Sequence, residues 1–137
     1  MGSFIDYLLG LKPGDFTFAM VKPDGCHHTH DILEMIRSAG FQVHAHPVLL
    51  TDTQVRALYY SHLGRPYYEK NAAHNMSGAV TVAVIEGPDA LNWWRNTAMP
   101  DIRTKWGSND PENRPANVVH GSDSPEAAFR EAHYFFG

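Results

Sequence analysis

A second cysteine is missing. Cys26 stands alone among 137 residues, which excludes an intrachain disulfide and fits a chain built for a reducing compartment. No stretch reaches the roughly 20 apolar residues that span a bilayer. The start, Met1 to Leu11, holds Phe4, Ile5, Tyr7, Leu8 and Leu9, but it lacks a basic region and carries Asp6. It therefore reads as an amphipathic arm packed on the body or on a neighbouring subunit, not as a signal peptide. A cytoplasmic chain with no membrane contact is the expectation. Basic charge is also short: 11 Lys and Arg face 15 Asp and Glu, for a net charge of −4. Proteins that grip nucleic acid through its phosphates are usually basic, so this balance argues against such a partner. The length suits one domain with a single core, with residues 1–14 as an N-terminal arm.

What is present is a regular succession of elements. Phe16 to Val21 alternates large and small residues as a strand does, and Pro23-Asp24-Gly25 stops it. A helix follows with Ile32, Met35, Ile36 and Ala39 as its apolar stripe, Asp31 and Glu34 as a capping box, and Gly40 at its end. Phe41 to Leu50 alternates again, and Pro47 argues for an edge position there. Thr51 and Gln54 form a second capping box for a helix through Val55, Leu58 and Tyr59. Residues 66–77 read as a short helix plus loop, and Ala79 to Ile85 as a central strand. A helix after Gly87-Pro88 turns Ala90, Leu91 and Trp94 inward. Met99 to Ala116, rich in Pro, Asn, Asp and Gly, reads as a long functional loop. Val118-Val119 is a short strand, and Asp123 with Glu126 caps the last helix. Strands alternating with helices in this order predict an α+β, ferredoxin-like sandwich, with helices covering one face of a mainly antiparallel sheet. A parallel, flavodoxin-like order is the alternative.

The densest chemistry lies in Asn117-Val118-Val119-His120-Gly121-Ser122-Asp123. It sets a histidine at a strand end, beside a glycine and just before a helix. Glu131 follows three turns up that helix, where it can lean toward the imidazole. At the other end of the chain, Lys22 closes the first strand in Val21-Lys22-Pro23-Asp24-Gly25. A lysine at such a turn is well placed to neutralise phosphate charge.

The first of these segments resembles the active-site signature of the nucleoside diphosphate kinases, Asn-x-x-His-Gly-Ser-Asp, at every specified position. The second is similar to that family's first-strand motif, whose lysine reaches the transferred phosphate. Tyr59, Gly64-Arg65-Pro66-Tyr67-Tyr68 and Ser77-Gly78 fall where the family has its tyrosine, its Gly-Lys/Arg-Pro-Phe-Phe run and its Ser-Gly. The resemblance spans about residues 15–136. It implies transfer of a terminal phosphate from a nucleoside triphosphate to a diphosphate, in two half-reactions through phosphorylated His120. Mg2+ would bridge the nucleotide phosphates. Glu131 would hold the far ring nitrogen, Ser122 would bond that glutamate or the leaving oxygen, and Asn117 would bond the ribose or position the strand. Tyr67 would stack on the base, a contact that needs only a π-face and so tolerates any base. Tyr59 would lie near the histidine. Arg95 and Arg103 would clamp phosphate oxygens, and a homo-oligomer is implied.

The chain also departs from the pattern. The family segment between those arginines is cut to residues 96–102, with Thr97 as the candidate for its phosphate-contacting threonine, and extra residues follow Arg103. Cys26-His27-His28-Thr29 replaces a basic, glycine-containing stretch. His27, His28 and His30 lie close together, but zinc sites use three or four ligands and no cysteine pair adjoins them. The residues name no resident metal site. A nucleotide-binding regulatory module without activity, and a phosphohistidine protein kinase or carrier, remain the competing functions.

Overall fold

The computed structural model describes residues 3–107 and 117–137. Its elements are α1 (Phe4–Leu9), β1 (Phe16–Val21), α2 (Thr29–Ser38), β2 (Gln42–Val48), α3 (Asp52–Leu58), α4 (Tyr68–Asn75), β3 (Val80–Glu86), α5 (Ala90–Trp93), α6 (Met99–Trp106), β4 (Val119–Gly121) and α7 (Pro125–Phe136). The strands form one sheet in the order β2-β3-β1-β4. Every pairing is antiparallel, which is the ferredoxin-like arrangement and sets aside the parallel alternative.

Alternation along β1 explains the layers. Phe18 and Met20 point to one face, where Val55, Leu58, Tyr59, Tyr68 and Ala72 of the α3–α4 region pack on them. Phe16 extends that face beneath α1 and α7, against Leu8, Ala128 and Ala132. Ala19 and Val21 point the other way, against Ile32, Ile36, Trp94 and Ile102 of α2 and the α5–α6 run. Helices therefore cover both faces of the sheet, not one. All of β1 is buried for that reason, while β2, at the sheet edge with Pro47 on it, is largely exposed.

Three local expectations are corrected. Met99 to Ala116 is not a loop throughout: Met99–Trp106 is α6, and residues 108–116 lie outside the described residues. Pro100 stands in the first turn of α6, directly after the π-helical turn Trp94–Ala98 that leads into it. The Asp31–Glu34 capping box does not form. A 3-10 turn over Pro23–His28 runs straight into α2, so no extended residue is left to cap it, and Glu34 pairs with Arg37 instead. The last helix is capped by Ser124, whose side chain accepts from Ala127 N, one residue later than the Asp123 expectation. The Thr51–Gln54 capping box is present with both hydrogen bonds. Within the N-terminal arm, Phe4–Leu9 forms α1, with its own box between Ser3 and Asp6.

Candidate active site

The end of β4 brings the two motifs together. Val21 pairs with Val119 and Met20 with His120, so the lysine that follows β1 lies beside the segment that leads into β4. Since side chains alternate along a strand, Val119 enters the core on the α2–α6 side. His120 faces the opposite side, toward Phe18, Tyr59 and α7.

Entry into β4 is strained. Val118 has φ +75°, and Val119 N donates to Asn117 O at 2.9 Å. That is the geometry of a γ-turn, costly for a β-branched residue. Three contacts hold it. Lys22 N donates to Val118 O at 2.7 Å, and Val118 N donates to Asp24 Oδ2 at 3.0 Å. Gly25 lies directly beneath: a Cβ there would come within 2.6 Å of Val118 Cγ1. Asp24 and Gly25 thus do more than end a strand. They carry the turn that precedes the histidine.

The imidazole is fixed from several sides. His120 Nε2 lies 3.1 Å from Glu131 Oε1, and the glutamate side chain is only 5% exposed. Ser122 Oγ donates to the same oxygen at 3.0 Å, with Phe18 O as a longer alternative at 3.3 Å. The Tyr59 ring meets the imidazole edge-on, centroids 5.2 Å apart. Trp94 Nε1 donates to His120 O at 3.2 Å. Gly121 permits this approach, because a Cβ there would be 2.6 Å from Trp94 Cδ1 and 2.7 Å from Met99 Sδ.

Cations gather at the same end. Lys22 Nζ donates to Asn117 Oδ1 at 2.7 Å. The Lys22 pKa is lowered to about 8, chiefly by burial and also by the nearby Arg103 charge, with Asp24 opposing both. Arg103, on α6, donates from Nε to Asn117 O at 3.2 Å and from Nη2 to Val119 O at 2.9 Å. Burial and the Arg95 charge bring its pKa down from the usual arginine value. Arg95 lies on a π-helical turn, Trp94–Ala98, and donates to Asp123 O at 2.9 Å. Such turns insert an extra residue into a helix, often at functional sites. Both arginines therefore stand on one continuous helical run, not on a loop. Thr97 of that turn is exposed.

Tyr59 is buried beside the Asn71 and Asn75 amides, and its hydroxyl has no well-formed hydrogen bond. Burial drives its pKa far above the usual tyrosine value, so it remains a neutral wall. Tyr67 stands apart. It is 51% exposed, with its hydroxyl on His62 Nδ1, and His62 in turn packs against Tyr59. His62, Trp94 and His74 belong to none of the motifs: Trp94 reads from the sequence as a core residue, and the two histidines carry no signal of their own. Among the described residues, no three of His, Cys, Asp or Glu are grouped so as to hold a metal ion.

What the fold offers here is an α+β domain with cationic side chains gathered near an imidazole whose Nε2 is held by Glu131. Comparisons with known proteins specify it. The sequence model of the nucleoside diphosphate kinase family matches residues 15–137. A nucleoside diphosphate kinase of Geobacter sulfurreducens is 36% identical over 132 residues, 88% of this chain and 93% of that one. One of Nitratidesulfovibrio vulgaris is 35% identical over 132 residues, covering 88% and 92%. The crystal structure of the Aquifex aeolicus nucleoside diphosphate kinase superposes with a TM-score of 0.77 at 29% identity, covering 90% of this chain and 95% of that one. The chain belongs to the nucleoside diphosphate kinase family.

Proposed function

We propose that this protein transfers the terminal phosphate of a nucleoside triphosphate to a nucleoside diphosphate through a phosphohistidine at His120. The observation that carries this reading is the His120–Glu131 contact. A carboxylate only accepts hydrogen bonds, so the imidazole proton sits on Nε2, 3.1 Å from Glu131 Oε1. That leaves the lone pair on Nδ1 free to act as nucleophile. In the first half-reaction an Nδ1–P bond forms in line as the bond to the bridging oxygen breaks, and the diphosphate leaves with the electron pair. Glu131 stabilises the positive charge that develops on the ring, and the Ser122 hydroxyl keeps Oε1 in place. A second diphosphate then takes the phosphate back along the same line.

Lys22, Arg103 and Arg95 supply the positive charge against which the transferring group spreads its own. Arg103 comes with its guanidinium already anchored on the carbonyls of Asn117, before β4, and of Val119, its first residue, so little reorganisation is needed during transfer. Asn117 holds Lys22 and contributes to the nucleotide site through it. Tyr59 walls the imidazole, and exposed Tyr67 offers its face to the base. Magnesium would arrive as part of the substrate, bound through the nucleotide phosphates, where it would offset their charge alongside Lys22 and the arginines. We read the assembly as a homo-oligomer, with the exposed, unpaired edge of β2 as the natural surface, in a reducing, cytoplasmic setting. Among the described residues, no helix is long and apolar enough to cross a membrane.

A pulse with γ-labelled ATP and magnesium tests the reading. The wild-type chain should take up acid-labile label and chase it onto any added diphosphate, whereas His120→Ala should take up none while still binding nucleotide. Label mapped to His27, His28 or His62 would falsify the assignment. Binding without label would favour the inactive module, and label passed only to protein would favour the carrier.

A further inference from the structure

Asp24 is bonded at both oxygens. Oδ2 accepts the N–H of strained Val118 at 3.0 Å, and Oδ1 lies 2.8 Å from His74 Nε2 on α4. Both side chains are mostly buried, His74 at 21% and Asp24 at 19% exposure. The contact spans 50 residues and ties α4, on the face that carries Tyr67, to the turn that delivers Asn117 and His120. Neither of the two motifs contains His74.

We propose that His74 is a positioning residue for phosphate transfer: its bond to one oxygen of Asp24 holds the other on the Val118 N–H, and so fixes the γ-turn that sets the His120 strand. The inference rests on the phosphotransfer reading above. The γ-turn is unfavourable for valine on its own, and its amide would otherwise be an unmet buried donor, since Val118 is fully buried. A carboxylate gripped at one oxygen alone can rotate. Gripped at both, it keeps Oδ2 on the amide. His74 Nε2 must carry the hydrogen in this contact, because the carboxylate can only accept.

The same clamp has an electrical consequence. Lys22 is faced by Asp24 from its own turn, by Arg103 from α6 and by the neutral Asn117 amide before β4. Asp24 is the carboxylate that raises the Lys22 pKa against burial and Arg103. If Asp24 swings away, Lys22 loses its proton at lower pH, and the alkaline loss of kcat/KM begins earlier. His74 thereby acts on Lys22 without touching it.

The test compares His74→Phe, which keeps a ring but no donor, with His74→Gln, whose amide can still donate to Asp24. Folding of both is checked by circular dichroism. The first readout, the Val118 amide proton by NMR, is independent of activity, and it should move upfield in His74→Phe as the charged acceptor is lost. The second is exchange kinetics: kcat should fall about tenfold or more from misplacement of the nucleophile, with nucleotide KM little changed. The third is the alkaline limb of kcat/KM, which should move to lower pH. His74→Gln should restore all three toward wild type. An unmoved Val118 amide in His74→Phe would overturn the proposal, as would unchanged kcat despite a moved amide. Equal losses in both variants with a fixed alkaline limb would reduce His74 to packing and overturn it too. No exchange in the wild-type chain would sink the phosphotransfer reading instead, while the Val118 amide would still report whether His74 holds the turn.

Discussion

At the scale of single residues, the arginines show how a side chain can be anchored and still serve charge. Arg103 spends two donors on the carbonyls of Asn117 and Val119, which leaves the remainder of its fork for the proposed phosphate contact. Its removal should therefore slow turnover more than it weakens diphosphate binding, because interactions strongest in the transition state appear in kcat. We expect Arg103→Ala to slow transfer by about tenfold or more, roughly 1.4 kcal/mol of barrier. Arg114, which lies outside the described residues, is the comparison: Arg114→Ala should do much less, and the reverse ranking would mean the wrong arginine has been assigned. Tyr67 makes the opposite kind of contribution. It is half-exposed, with its hydroxyl on His62, so Tyr67→Ala should weaken all bases alike by about 1–3 kcal/mol if stacking is its role. Binding titrations with ADP, GDP and CDP decide this. A loss confined to purines would point to readout of base edges.

Elements show where sequence and structure part company. The Thr51–Gln54 box was legible because both of its bonds are local. The strand Phe16–Val21 was legible because its bulk alternates as its faces do. α6 was hidden behind Pro100, Asp101 and Gly107, although Met99, Ile102 and Trp106 repeat at helical spacing. Composition points to a loop there, whereas the period matches the helix that forms. The π-turn at Trp94–Ala98 left no mark in sequence, since one extra residue shifts a helical stripe without breaking it. The histidine, lysine and glutamate were legible through motifs. His74 was not, because its importance lies in a contact with a residue 50 positions away.

Packing between β4 and the α5–α6 run yields a prediction at the same scale. Trp94 is held by its bond to His120 O and buried to 1% exposure, so it has little room to yield to a new methyl group at position 121. Gly121→Ala should cost about 1–3 kcal/mol through overpacking and slow transfer by displacing the histidine carbonyl. Gly78→Ala is the control, since its Cβ would meet only Pro23 Cβ at an ordinary 3.5 Å. Thermal melts of the two variants should rank them in that order, and equal stability would mean the β4–Trp94 contact is looser than described.

On the scale of the whole molecule, the site is assembled from both ends of the chain. Lys22 follows β1, Tyr59 closes α3, Arg103 is on α6, His120 on β4 and Glu131 on α7. No fragment of the fold holds all of them, so any opening large enough to separate β4 from β1 or α7 also takes apart the proposed nucleotide site. Binding should then stabilise the fold against global unfolding, following RT ln(1 + [L]/Kd) for a ligand that binds only the native state. At a nucleoside diphosphate concentration one hundred times its Kd this amounts to about 2.7 kcal/mol, and for a domain of this size it should raise Tm by roughly 10 °C. If the stacking surface reads no base edge, ADP, GDP and CDP at equal multiples of their own Kd should give the same shift. The cationic mouth predicts that the matching nucleosides, lacking phosphates, give little at the same concentrations. Calorimetric scans with and without each ligand test both statements. A nucleoside that shifts Tm as far as its diphosphate would remove Lys22, Arg95 and Arg103 from the binding site, whatever their part in transfer.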